Sequence, residues 1–220
     1  MTKLSILIAT QGRRDTQFKS LVEDLGYQSK PFADEIEIVA FWNNGEWEIG
    51  ELRQMLMEEA KGEYVCFIDD DDAVPHYYCA ELMKALGKDY VGFKVQVFND
   101  GVEQPMAYHD LQYQVWTEDE NGFYRGVTHL NPLRRKIALQ GKFTTDGAGE
   151  DGAWARVVTP LAKDQVYLDK VMYFYYHSKR DTSFGGRRKG RQLPYGRPSF
   201  KFKNFRWHPS SKKDNKELRK

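Results

Sequence analysis

Apolar runs and amphipathic stretches alternate through the first third of the chain, and their order predicts a β-α-β-α-β beginning. Lys3 to Ala9 is an apolar run that ends in the polar turn Thr10-Gln11-Gly12-Arg13-Arg14. Asp15 then stands where a helix cap belongs, ahead of Phe18, Leu21, Val22 and Leu25 at helical spacing. Glu35 to Phe41 reads as a second strand closed by Trp42-Asn43-Asn44-Gly45, and Ile49, Leu52, Leu56 and Met57 mark a second helix that stops near Gly62. Tyr64 to Ile68 is a continuous apolar run rich in β-branched and aromatic residues, the pattern of a strand buried on both faces. This order reads as a parallel, Rossmann-like α/β sheet. Ligands of such sheets bind at the strands' carboxyl ends, where the turns at Thr10 to Arg14, Trp42 to Gly45 and Asp69 to Asp72 all fall.

Farther along, Pro75 to Leu86 has a helical pattern, Tyr90 to Phe98 alternates as a strand does, and Asn99-Asp100-Gly101 turns it. From Val102 to Thr128 aromatic, polar and glycine residues suggest hairpins without fixing a register. Asn131 to Ala138 predicts a short helix opened by a proline, Glu150 to Val158 a helix with two carboxylates in its first turn, and Tyr167 to Tyr176 a tyrosine-dense strand ended by His177-Ser178.

The four carboxylates Asp69 to Asp72 change the picture, because they follow a buried strand at once. Left dry and unpaired they would repel one another by several kcal/mol, so water or a cation must neutralise them, and hard oxygen ligands point to Mg²⁺ or Mn²⁺. An acidic turn that caps the amides of Pro75 to Tyr78 accounts for the same residues without a metal.

Composition adds bounds. At 220 residues the chain has room for one domain, or one domain with an appendage, and its two cysteines, one in the apolar strand and one in a helical pattern, point to a reducing compartment rather than a disulfide framework. No stretch approaches the length of a membrane span, and the run Leu4 to Ala9 is too short for a secretory leader, so a soluble, cytoplasmic protein is expected. The net charge of +1 hides a division: residues 1 to 176 hold 18 Lys and Arg against 29 Asp and Glu, whereas residues 177 to 220 hold 15 against 3. That balance divides the chain into a body, 1–178, and a basic tail, 179–220, in which Tyr195, Phe200, Phe202, Phe205 and Trp207 interleave with the cations.

Four stretches in this order resemble the GT-A glycosyltransferases, in particular the family 2-like group. Ser5 to Thr10 with Arg13 is similar to that family's first strand and its Thr-x-x-Arg turn. Gly50-Glu51-Leu52-Arg53-Gln54, then Gly62-Glu63-Tyr64 and the Asp run, resemble its Gly-x-x-Arg-Asn, Gly-Glu-Tyr and Asp-x-Asp motifs, and Gly149-Glu150-Asp151 with Trp154 resembles its Glu-Asp motif. The resemblance implies a GT-A fold, a mostly parallel sheet flanked by helices, and an inverting, metal-dependent transfer of a sugar from a nucleotide-diphosphate donor. It implies Asp71 and Asp69 as metal-binding acids, with Asp69 and Asp70 near the nucleotide, Asp72 as a further ligand and His177 as a late one. Thr10, Arg13 and Arg53 would line the donor, Asp151 would be the general base, Glu150 would orient the acceptor or cap the helix, and Trp154 would stack on a sugar or base unless it is core. The family's Asp-Asp-Gly-Ser is here Asn43-Asn44-Gly45-Glu46, so the pair Asn43 and Asn44 leaves the nucleobase open.

The acceptor is read from the tail. Cations interleaved with aromatics suit phosphate contacts and base stacking, so a soluble phage-type enzyme that glycosylates hydroxymethylated pyrimidines in DNA, in a host cytoplasm, fits fold, size and tail together. A glycan, lipid-linked or protein acceptor is the alternative. Two further readings compete: a nucleotidyltransferase, for which Glu150 and Asp151 have no natural task, and a nucleic-acid-binding protein whose acidic cluster is structural.

Overall fold

A computed structural model describes residues 1–11, 15–43, 47–144, 149–177 and 202–208. Its sheet begins with β1 (Leu4–Gln11), β2 (Ile36–Asn43) and β3 (Tyr64–Phe67), linked by α1 (Asp15–Ser29) and α2 (Ile49–Glu59). β1 runs parallel to both other strands, with Ile6 opposite Ile38 on one side and Cys66 on the other. The unbroken apolar runs follow from burial on both faces. Leu4, Ile6 and Ile8 join Phe18, Leu21 and Val22 in one core, and Leu7 and Ala9 join Leu52, Leu56 and Met57 in a second on the opposite face. Both cysteines are buried and free, and burial pushes their thiols up to about 12.

α3 (Tyr78–Ala85) leads to β4 (Tyr90–Asn99), followed by the short strands β5 (Val102–Glu103), β6 (Ala107–His109), β7 (Thr117–Asp119), β8 (Gly122–Arg125) and β9 (Leu133–Arg134). α4 (Arg135–Ala138), α5 (Glu150–Val158) and the long β10 (Gln165–His177) follow. The parallel sheet expected from the first third is therefore completed as a mixed one. β10 lies parallel to β4, whereas β5, β6 and β9 pair with β4 antiparallel, and β7 with β8. Connection length decides this for β5 and β7: each follows or precedes its partner through a tight turn, and a parallel pair needs a crossover of about a dozen residues. At the β4–β5 turn Asp100 and Gly101 take φ of 48° and 80°. The helix expected over Asn131 to Ala138 shortens to α4, because the Val91 amide takes the Pro132 carbonyl at 2.9 Å and draws Leu133 and Arg134 into the sheet.

Part of the segment assigned to the tail belongs to this sheet. β11 (Phe205–His208) pairs parallel with β2, Trp207 opposite Ala40. Arg206 Nε donates to Glu37 Oε2 at 3.0 Å, while Glu37 Oε1 accepts from Ser5 Oγ and from the Lys61 amide, each at 2.6 Å. Lys203 pairs with Asp34 at 2.7 Å, and Trp207 packs against Phe18 and Trp42 with ring centroids 5.5 and 5.7 Å apart. Gly26 makes room for this docking, since a Cβ there would stand 2.3 Å from the Phe202 ring. Arg206→Ala is expected to cost roughly 1–3 kcal/mol, the price of a buried carboxylate left short of a charge-assisted hydrogen bond. Urea denaturation at neutral pH measures it, and an unshifted midpoint would show that β11 holds nothing.

Candidate active site

Four elements converge at the carboxyl end of β3. Residue 50 of α2 must be glycine for the first contact to form, because a Cβ there would lie 1.9 Å from the Thr144 carbonyl oxygen and would hold the segment leading to α5 away. One helical turn on, Arg53 is 6% exposed. Its Nη2 donates to Asp69 Oδ1 at 2.8 Å, and its Nη1 forms an ion pair with Glu150 Oε1. A planar guanidinium presents two parallel N–H groups and serves two carboxylates at once, which an ammonium on a single stem does not. Burial opposes the Arg53 charge, but Asp69, Glu150 and Asp151 outweigh it and raise its pKa. Burial likewise opposes ionisation of Asp69, and Arg53, with His129 beside it, overcomes it, so that Asp69 is held below the usual carboxylate range.

The acidic turn is braced from β10. The Asp69 amide donates to Tyr173 Oη at 3.0 Å, and that hydroxyl donates to Asp72 Oδ2 at 2.8 Å. Asp72 Oδ1 accepts from the Tyr176 amide at 2.8 Å. Burial, with the charges of Asp69 and Asp71 beside it, pushes Asp72 well above the ordinary range. α3 starts at Tyr78, and the residue in its cap position is Tyr77, not one of the four aspartates. Asp70 is buried and Asp71 half-buried.

Asp151 follows Glu150 into the first turn of α5. Its Oδ1 accepts from the Gly152 amide at 2.7 Å and its side chain keeps 28% exposure, whereas Glu150 is buried against Arg53. Between Asp151 and Asp69 stands His129, with Nδ1 3.6 Å from Asp151 Oδ2 and Nε2 3.8 Å from Asp69 Oδ2. Sequence reasoning did not find His129, which lies just past the stretch whose register could not be read. Nor did it single out Tyr173 among the tyrosines of its strand, although a phenol beside an acidic turn is a natural donor.

The remaining candidates that are described sit on β1, β2, β10 and α5. Thr10 is buried at the end of β1, opposite Trp42. Asn43 is buried and spends its side chain on the local turn, donating to the Trp47 carbonyl at 2.8 Å. Arg13 and Asn44 lie outside the described residues, as do Tyr195 and Phe200 of the tail. His177 ends β10 opposite Asn99, and its carbonyl accepts from the Asp100 amide at 2.9 Å. Trp154 is core: it is 2% exposed, stacks on Phe143 at 5.1 Å and donates to the Ala138 carbonyl at 3.0 Å.

A buried polar network supports the turn that carries His129. Asn131 Nδ2 donates to the Val91 carbonyl at 2.9 Å, and Asn131 Oδ1 accepts from Thr128 Oγ1 at 2.7 Å and from His109 Nδ1 at 2.6 Å. Burial lowers the His109 pKa to about 4, so the unfolded chain takes up a proton near pH 6.5 while the fold still refuses it. His109 therefore supports stability above that pH and loses roughly 3 kcal/mol of it as pH falls from 6.5 to 4. Thermal midpoints across that range should fall less steeply in His109→Asn; parallel curves would remove this group from the acid response.

The profile for Glycosyl transferase family 2 matches residues 29–145. Among solved structures, the fragment 1-349 of S. aureus TarS aligns with a TM-score of 0.62 at 16% identity, covering 80% of this chain and 60% of that one. The same fragment in complex with UDP-GlcNAc gives 0.60 at 17% identity, over 83% of this chain and 60% of that one. The mannosyltransferase PcManGT from Pyrobaculum calidifontis, in complex with GDP-Man and Mn²⁺, gives 0.52 at 14% identity, over 78% and 56%. The fold is thus the GT-A one, and the chain spans about 60% of the length of the TarS fragment. No curated protein sequence matches it. Among the described residues, no helix is long and apolar enough to cross a membrane.

Proposed function

The chain belongs to glycosyl transferase family 2, and on that premise we propose that it moves a sugar from a nucleotide-diphosphate donor to an acceptor hydroxyl, with inversion at the anomeric carbon. The observation that carries this reading is the Arg53 fork, which joins the Asp run after β3 to the Glu150-Asp151 pair at one sheet edge. Asp151 takes the acceptor proton while that oxygen bonds to the anomeric carbon and the bond to the diphosphate breaks. A hydroxyl is too weak an acid to lose its proton unaided near neutrality. Glu150, spent on Arg53, places Asp151 and does not itself react.

Asp71 and Asp69 would hold a Mn²⁺ or Mg²⁺ ion. They fit one as hard oxygen donors that are both half-buried, with Asp69 held in place by Arg53, and Asp72, which accepts hydrogen bonds on both oxygens, bracing the turn. Among the described residues no group of three or more His, Cys, Asp or Glu is arranged to hold a metal, which suits an ion completed by donor phosphates and water. When bound, such an ion neutralises charge on the leaving diphosphate. Thr10 and Asn43, at the ends of β1 and β2, lie on the donor edge in this reading.

Hydroxymethylated pyrimidine in DNA remains the proposed acceptor, on a narrower footing. Phe202, Phe205 and Trp207 pack on the body, so stacking on bases loses those aromatics, while 13 of the 15 tail cations lie outside residues 202–208. Thermal shifts with UDP-, GDP- and other nucleotide sugars, with and without Mn²⁺, test the donor side. At least one donor is expected to stabilise the chain by ~2–3 kcal/mol at about 100 times its Kd, in a metal-dependent way. Asp71→Ala should lose that shift and keep the fold. Undiminished stabilisation in the variant would sink the assignment.

A further inference from the structure

His129 takes no part in the proton transfer from the acceptor, yet its placement is unusual. Its side chain is 7% exposed, and among the described residues neither ring nitrogen has a hydrogen-bond partner. Burying a polar group without a partner is costly, so a residue held in that state points to a contact completed in another state of the site. The mount is rigid. The His129 carbonyl accepts from the Phe67 amide at 2.8 Å, its ring meets Phe67 edge-on at 6.0 Å, and the Thr128, Asn131 and His109 network fixes the turn.

The ring separates two carboxylates that each accept one hydrogen bond on Oδ1 and face it with Oδ2; the donor is a guanidinium at Asp69 and a backbone amide at Asp151. Asp69 already receives an Arg53 N–H at 2.8 Å. Asp151 is held by the Gly152 amide of its own helix, on the oxygen turned away from His129. Oδ2 of Asp151 is the nearer of the two facing oxygens, at 3.6 Å against 3.8 Å. A closure of about half an ångström would bring Nδ1–H into hydrogen-bond range of Asp151.

We propose that His129 is a positioning residue for Asp151: its Nδ1–H grips Oδ2 and fixes the direction in which the carboxylate faces the acceptor hydroxyl. This rests on the reading of Asp151 as the base. A carboxylate free to turn about its last torsion loses the alignment that an in-line attack requires, and misplacement by about 1 Å costs on the order of 100-fold.

Three variants separate this from a packing role. Asparagine reproduces a donor near the position of Nδ1, and glutamine one near Nε2. With UDP-GlcNAc or GDP-mannose and Mn²⁺, release of nucleotide by His129→Ala is expected to fall in kcat by about 10- to 100-fold with donor KM unchanged. His129→Asn should recover most of that loss and His129→Gln little. Equal rescue by both, or a change in KM alone, would overturn the proposal. Asp151→Asn in the same assay keeps the two readings apart: if it retains turnover, the base assignment fails; if it is inactive while His129→Ala is not, only the present proposal fails. Long-range ¹H–¹⁵N spectra of the full chain give a readout independent of activity. Nδ1 should carry the hydrogen, and its signal should move in Asp151→Asn; an Nδ1 without hydrogen overturns the assignment.

Discussion

Arg53→Met is expected to destabilise the chain by about 3–5 kcal/mol, because removal of one member of a buried ion pair leaves the others without a counter-charge. Glu150 and Arg53 are 6% exposed, so the variant retains a buried carboxylate that water does not reach. Methionine fills much of the stem volume, which makes lost packing a minor part of the effect. Arg53→Lys should recover only part of the loss, since a single ammonium does not reproduce the fork to Asp69 and Glu150. The pH dependence has a definite sign. Arg53 holds Asp69 below the unfolded carboxylate range, so its contribution is complete above pH ~4 and is lost as pH falls toward the depressed folded value. The gap between wild type and Arg53→Met in urea midpoints should therefore be widest near neutrality and narrow on acidification. Equal midpoints at pH 7 would mean that the fork is not structural.

The same fork shows how far the sequence could be read. Strands β1 to β3 and helices α1 and α2 were legible because each element carries its own period: a strand buried on both faces is an unbroken apolar run, and a helix beside it repeats every three to four residues. The Gly50-to-Arg53 spacing was legible as a motif, but its reason was not, since the Thr144 carbonyl that forbids a Cβ at Gly50 is distant in sequence. His129 was missed on similar grounds. Its surroundings are assembled from α5, the acidic turn and a loop, and no local pattern announces a histidine that will face two carboxylates. The tail misled in part because composition reads charge and not pairing. Arg206 and Lys203 count as cations for a polyanion until Glu37 and Asp34 are found against them. Truncation of the whole basic segment, a natural test of DNA binding, would also strip β11 from the edge of β2, so substitutions outside residues 202–208 are the sounder probe.

Asp151→Asn should lower turnover by about 10²-fold to 10⁴-fold, the range that a general base contributes. The amide keeps the shape of the carboxylate and an oxygen able to accept from the Gly152 amide, and it removes the charge and the basicity. Stability supplies the control. An acid in the first turn of α5 is worth ~0.3–1 kcal/mol through the helix dipole, so the fold loses no more than that. A 10³-fold fall in rate corresponds to roughly 4 kcal/mol of transition-state stabilisation, well beyond what partial unfolding of so mild a variant could produce. Donor binding should be unchanged, because Asp69, a proposed metal ligand on the donor side, lies across His129 from the altered group. Glu150→Gln provides the contrast. It weakens the ion pair to Arg53 and should lower the denaturation midpoint along with activity, whereas Asp151→Asn lowers activity alone. Product configuration, read by NMR against the donor's anomeric centre, completes the test: inversion agrees with direct attack assisted by Asp151. Retained turnover in Asp151→Asn would transfer the base role to another carboxylate at the same edge.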